Sequence, residues 1–432
     1  MAEGLPIRTI SLREHPQRQI LAGEVHARPY EPLPVPVRAS RLAMVGATPE
    51  DERAHLARLL ASHGAEPPGG GASYFIRDLG GFRLRWERHA EFSTYTVSRF
   101  DDFGAQPFQA SALDLIPADW LEALPGEMMT GVHVAASADL PDDLGMLFDG
   151  NALVGAKVLW GAGEAWTDFR LHADGFGRFV LRDLGLTRGQ TGRLMQRLLE
   201  IETYRMMALL AFPLAKAAAG DISRIDAELA AIVTQLADPT IQQNDRELLE
   251  HLTRLAAEAE HLDAATSFRL SAAKAYYAIV LQRIGELREE RIPGLQTMAE
   301  FTDRRLGPAM KTCDSVSDRQ QLLARRVSRA GDLLRTRVDI ALEEKNRDLL
   351  NSMNRRAALQ LRLQETVEGL SVVAISYYLL GLIGYLAKGL KAAGLAVNSD
   401  LAGLIGLPVV AGAVWLGVHR LRKALVHKGE EG

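Results

Sequence analysis

Cysteine is almost absent from this chain. Cys313 stands alone among 432 residues, so no intrachain disulfide can form, a usage compatible with a reducing compartment. Strong net charge is missing too. Fifty basic residues against 54 acidic ones leave −4 at neutral pH, and no basic stripe with interleaved aromatics marks a nucleic-acid partner, so none is expected. The opening MAEGLPIRTISLREHPQRQ lacks the apolar run of a secretory signal, which leads us to expect that the large N-terminal portion is not exported. Nor is there a nucleophile–base set or a paired-cysteine motif. The glycine-rich Pro67–Gly71 lacks the Lys-Ser/Thr pair of a phosphate-binding loop and reads as a flexible connection. These absences leave an enzyme no residues to rest on, and they imply no cofactor.

What the chain does have is a segregation that its mean hydropathy of −0.04 conceals. Gly369 to Ala387 is a 19-residue run without a charged side chain. At about 1.5 Å per residue it suffices to cross a bilayer core of about 30 Å. A second uncharged run, Leu401 to Val418, is followed at once by Arg420, Arg422 and Lys423. The two runs predict a transmembrane hairpin, the alternative being a pair of buried core helices. Arg355, Arg356 and Arg362 precede the first run, and only Lys388 and Lys391 lie between the two. The positive-inside rule then places both termini in the cytoplasm, with the hairpin in the cytoplasmic membrane.

From the N-terminus, prolines at 29, 32, 34 and 36 forbid a helix and impose an extended course into an apolar strand. A helix is expected from about Glu50 to Ser62. Phe82, Leu84 and Trp86 alternate with Arg83, Arg85 and Glu87, and FSTYTVSRF continues the period of two, as a hairpin with one buried face. LDLIPADWLEALPGE predicts a short helix, VHVAAS a strand, and NALVGAKVLW, EAWTDFRLHA and GRFVLRDL three antiparallel strands. Beyond Leu186 the pattern turns helical. Thr187 can cap a helix running to a break at Pro213, and Ile222, Ile225, Leu229, Ile232 and Leu236 form a coiled-coil-like seam that Leu248, Leu252 and Leu255 repeat. No proline falls between Ser315 and Ala387, so one helix of about 110 Å is expected there. The fold class is α+β. We expect an N-terminal α+β sandwich over residues 1–186, a coiled-coil-like stalk of long antiparallel helices over 187–368, the transmembrane hairpin over 369–419 and a basic tail over 420–432.

This layout resembles the CorA magnesium-transporter architecture. That family's Gly-Met-Asn signature at the outer end of the first span is absent, and Gly381-Leu382-Ile383-Gly384-Tyr385 stands in its place, which removes the residues expected for magnesium selectivity. GEVHARP at 23–29, PADWLEALPGE at 117–127, LLEIETYRMMALLA at 198–211 and LQETVEGLSVVAISYYLLGL at 363–382 are similar to a family of uncharacterised bacterial membrane-anchored proteins, with no activity attached.

Two sets of candidate site residues follow. Gln364, Ser371, Tyr378 and Tyr385 are each seven apart and share a helix face with Glu368. They either line a pore among subunits of a homo-oligomer, with a divalent cation as the permeating ion, or pack against the second span, where Gly403, Gly406 and Gly412 permit close approach. His15, Glu24 and His26, beside Arg28, are weak metal-ligand candidates. Their spacing matches no zinc signature, and hydrogen bonding within a proline-rich segment serves as the structural alternative. Two functions remain open: an oligomeric, CorA-like cation channel or transporter, and a membrane-tethered sensor or scaffold whose α+β domain binds a ligand or partner.

Overall fold

The computed structural model describes residues 13–19, 21–22, 30–237, 245–393 and 399–428. Its contacts divide the chain into two compact units, Met1–Gly331 and Asp332–Gly432.

The first unit is α+β and is built on one nine-stranded sheet of order β2-β3-β4-β1-β5-β8-β7-β6-β9. Its strands are β1 (Val37–Val45), β2 (Tyr74–Asp78), β3 (Arg83–Arg88), β4 (Phe92–Arg99), β5 (Glu127–Ser137), β6 (Val154–Val158), β7 (Gly163–Thr167), β8 (Gly177–Asp183) and β9 (Glu290–Arg291). All strand pairs are antiparallel except β5 with β8, so the sheet is mixed. Two helices, α1 (Pro49–Ser62) and the short α2 (Ala118–Glu122), cover one face. Leu56, Leu59 and Leu60 of α1 close there over Leu42, Leu84, Trp86 and Tyr95. A reciprocal pair of bonds ties α1 to α2: the Trp120 indole donates to the His55 carbonyl at 3.0 Å, and the His55 ring meets the Trp120 carbonyl at 2.9 Å.

The other face carries the long helices α3 (Arg188–Leu209), α4 (Ala211–Ala237) and α5 (Asp245–Leu287), followed by α6 (Met298–Arg305) and α7 (Gly307–Ala392). Thr187 caps α3 in a capping box with Gln190, as the sequence predicted. The break comes at Leu210 rather than at Pro213. Proline in the first turn of α4 costs little, because the amide it lacks would have no helical partner there. Ile222, Ile225, Leu229 and Ile232 are buried, and α4 and α5 run antiparallel, with Arg224 to Glu258 at 2.8 Å and His251 to Glu228 at 3.1 Å. The seam is therefore real, but a coiled-coil stalk is not shown. These helices pair within a layer whose α3 packs on β5.

One expectation needs correction. The β3–β4 hairpin buries both of its faces, since α1 covers one and the α3–α5 layer covers the other. The polar alternation of Arg83, Arg85 and Glu87 consequently points into protein. Arg85 reaches Glu87 at 2.8 Å, Arg41 of β1 lies 3.5 Å from the same carboxylate, and all three side chains are at most 6% exposed. Arg41 also donates to Thr96 at 2.9 Å, and Arg85 to Gln196 of α3 at 3.3 Å. Burial alone would raise the Glu87 carboxyl, yet the two guanidiniums hold it below its ordinary value.

In the second unit α7 is helical without interruption through the expected end at Ala387, and it runs on to Ala392 so that Lys388 and Lys391 are helical rather than in a loop. The last helix, α8 (Ser399–Lys428), carries Pro408 in its interior, and Gly406 of α8 sits against Leu380 of α7. The expected transmembrane hairpin is not shown. By length and composition alone α7 is long and apolar enough to cross a membrane, while the apolar stretch of α8 among the described residues, Leu404–Arg420, is shorter than the 18 residues of the same standard.

The buried charge triad yields a stability test. Glu87→Gln removes the counter-charge nearest to Arg41 and Arg85, leaving them only the more remote Glu200, and should cost about 3–5 kcal/mol in denaturant unfolding of the first unit. A loss below about 1 kcal/mol would mean that water reaches the triad.

Candidate functional site

The pore-lining candidates all lie on α7. Tyr378 and Tyr385 are 72% and 77% exposed, Gln364 is exposed, and Glu368 and Ser371 are half-buried. Ser371 donates its hydroxyl to the Val367 carbonyl at 2.7 Å, which satisfies the group within its own helix. Ser376, Leu380, Ile383 and Ala387 are among the least exposed residues of this stretch and form a helical stripe on the opposite side, where Leu380 meets Gly406 of α8. The structure thus keeps the tyrosines together on one face and apart from α8.

Of the weak metal candidates only His15 lies among the described residues. His15 is exposed, its Nδ1 accepting from the Gln17 amide at 3.2 Å, while Glu24 and His26 lie outside the described residues. Among the described residues no group of three or more His, Cys, Asp or Glu is placed to hold a metal ion.

A constellation that sequence reasoning missed crosses the centre of the sheet. The register aligns Ser40 of β1 with His133 of β5, and His133 with Arg178 of β8. Ser40 Oγ and His133 Nδ1 are 2.7 Å apart, and His133 Nε2 is 3.8 Å from an Asp174 carboxylate oxygen. Asp174 opens the turn before β8 and accepts the Phe176 amide at 3.0 Å, so that the Phe176 ring stacks on His133 with centroids 4.3 Å apart. Gly131 makes that stacking possible. A Cβ there would meet the Phe176 ring at 2.8 Å.

Next to this row, His172 hydrogen-bonds Asp149 through Nδ1 at 2.7 Å, which lowers the Asp149 carboxyl. His172 Nε2 lies 3.1 Å from Asp168, in poor geometry, and the atom is buried without a hydrogen-bond partner. Asn151 donates to the same Asp168 at 2.9 Å, and Arg178 is 3.5 Å from Asp174 and 3.9 Å from Asp149.

Hydroxyl, imidazole and carboxylate in a row have the order used for acyl transfer. Access decides against that chemistry. Ser40 is 1% exposed, and the cavity beside it, lined by Arg38, Phe108, Ser111, His133 and Asp174, has about 30 Å³, the space of a single water. Burial pushes the His133 pKa down to about 4, and the Asp174 carboxylate only partly offsets this. At neutral pH the ring is uncharged, and with its proton on Nε2 facing Asp174 it can accept the Ser40 hydroxyl at Nδ1. The arrangement is a closed polar relay within the sheet. No motif announced it, because its members come from three separated strands and a turn. Strand pairing of Ser40 with His133 was the missing information.

Residues 13–425 match the family model described as "Protein of unknown function (DUF3422)". A search of the curated proteins found no match.

His133 gives a pH dependence with a definite sign. Its pKa is lower in the folded chain than the 6.5 of a free imidazole, so the unfolded chain binds more protons between pH 6.5 and about 4. Stability is greatest above that window and falls as pH drops through it, by as much as roughly 3 kcal/mol. Unfolding of wild type and His133→Asn across pH 4–7 checks this, the variant being expected to lose that part of the slope. An imidazole that titrates near 6.5 by NMR would contradict it.

Proposed function

We propose that this chain, which belongs to the DUF3422 family, is a membrane-tethered sensor or scaffold whose α+β unit binds a ligand or partner and performs no catalysis. One observation carries the reading. The most apolar 18-residue window of α7 is only 11% buried, against 33% for the corresponding window of Arg188–Ala237. A core helix would bury such a stretch, whereas Leu370, Val373, Tyr377, Leu382 and Leu386 remain open. Each costs on the order of 25 cal/mol per Å² in water, and a bilayer removes that cost. The basic residues flanking the two uncharged runs favour a cytoplasmic membrane with both termini inside, Leu401–Val418 forming the return crossing.

The full chain should co-float with vesicles of phosphatidylethanolamine and phosphatidylglycerol and resist carbonate extraction. Leu379→Arg should weaken insertion by about 2.5–3.5 kcal/mol, the cost of arginine at a span centre. A chain that stays in the aqueous fraction without detergent would overturn the tether.

A second reading, an oligomeric cation channel of CorA-like layout carrying a divalent cation, is favoured by the exposure of Tyr378 and Tyr385 away from the α8 contact. In it Gln364, Glu368, Ser371, Tyr378 and Tyr385 line the path among identical subunits. With Cys313 replaced by serine, single cysteines at 371, 378 and 385 should react with water-soluble thiol reagents and cross-link between subunits. A cysteine at Val373, on a different face, should do neither. Absence of both reactions at all three positions would leave the tether alone.

A further inference from the structure

The turn between β6 and β7 is unusual for its residues. Leu159, Trp160 and Gly161 have φ of 49°, 58° and 80°, three successive left-handed positions of which only the last is a glycine. Hairpin turns of this hand normally take Asn, Asp or Gly, and bulky side chains there are strained. Leu159 has a reason to be present: its side chain is buried, and its amide donates to the Leu287 carbonyl at 2.9 Å. Trp160 has none of this kind. Its indole is 73% exposed and makes no hydrogen bond or ring contact with a described residue. The strained turn therefore presents a large aromatic surface outward.

Trp160 forms one wall of an open concavity of about 290 Å³, with Gln190, Arg193 and Arg197 of α3 and Glu286 and Arg288 around it. Arg288, immediately after α5, is itself left-handed with φ 54°. The carboxylate of Glu286 is already engaged, by Arg197 at 2.9 Å and by Arg283 at 3.2 Å. Arg193 and Arg288 have no ion pair with a described residue, so the concavity carries two uncompensated guanidiniums beside a bare indole.

We propose that this concavity binds a nucleoside phosphate, with the base stacked on Trp160 and the phosphate held by Arg193 and Arg288. A simple anion has no use for the indole, and an uncharged ring has none for the guanidiniums. A planar π-system joined to a phosphate uses both, through stacking and charge-assisted hydrogen bonds. The volume lies near the lower end for small-molecule sites, which suits a mononucleotide. The assignment names the ligand class of the α+β unit and rests on the ligand-binding sensor reading for its biological use.

The test employs the full chain in detergent micelles, titrated with AMP, GMP and inorganic phosphate by calorimetry and tryptophan fluorescence. AMP should bind saturably in the micromolar-to-millimolar range, quench fluorescence, and weaken with added salt. Trp160→Gly, whose new residue suits the left-handed backbone and should leave the melting temperature equal or higher, is expected to weaken binding roughly tenfold or more. Trp160→Phe should retain most of the affinity, and Arg193→Gln with Arg288→Gln should lose it. No saturable binding of either nucleotide, or unchanged affinity in Trp160→Gly or in the double arginine variant, would overturn the proposal. Phosphate alone binding as tightly as AMP would overturn it as well, leaving only a bare anion site. Vesicle flotation is read independently, so failure of the site with flotation intact leaves the tether standing, and the converse leaves the site standing.

Discussion

A sheet covered on both faces has no side left for charge to meet water, and the first unit is built around that constraint. Half the positions of β1, β3 and β4 point toward the α3–α5 layer, and several of them are charged. Glu87 pairs with Arg85 along β3 and with Arg41 of β1, and the helices extend the network. Gln196 reaches Arg85 and bonds Glu200 at 2.7 Å, and Glu200 in turn is bonded by Arg283 of α5. Strand register and helix placement thus depend on each other, because a shift of either would strand a buried charge.

The same constraint separates what was legible in the sequence from what was not. The hairpin at Arg83–Arg99, the three strands from Val154, the Thr187 cap and the unbroken helix through Ala387 could all be read from period, turn chemistry and the placement of proline. The two-sided burial could not. Arg-Leu-Arg-Trp-Glu-Arg looks half-solvated by alternation, and only the later helices that cover it make its polar face interior. The short β2 and β9 and the parallel pairing of β5 with β8 left no local signal either, since long-range partners determine them.

Site residues divide along similar lines. Heptad spacing placed Ser371, Tyr378 and Tyr385 on one helix face, a statement about a single helix that a single helix can answer. Ser40, His133 and Asp174 meet only through strand pairing and a turn. Trp160 was hidden for another reason. Nothing in NALVGAKVLWGAG shows that its turn is left-handed or that arginines of α3 and of the residue just after α5 close around it.

The two-residue strand β9 has a consequence in time. β2, β3, β4 and β1 pair from segments within about sixty residues of one another, and β6, β7 and β8 within about thirty, so each half of the sheet can form from local contacts. β9 pairs with β6 from more than a hundred residues further along, and all of α3, α4 and α5 intervenes. The pairing of Glu290 and Arg291 with Lys157 and Ala156 thus spans the longest stretch of chain in the sheet, the kind of contact that carries the largest loop-closure cost and slows folding most.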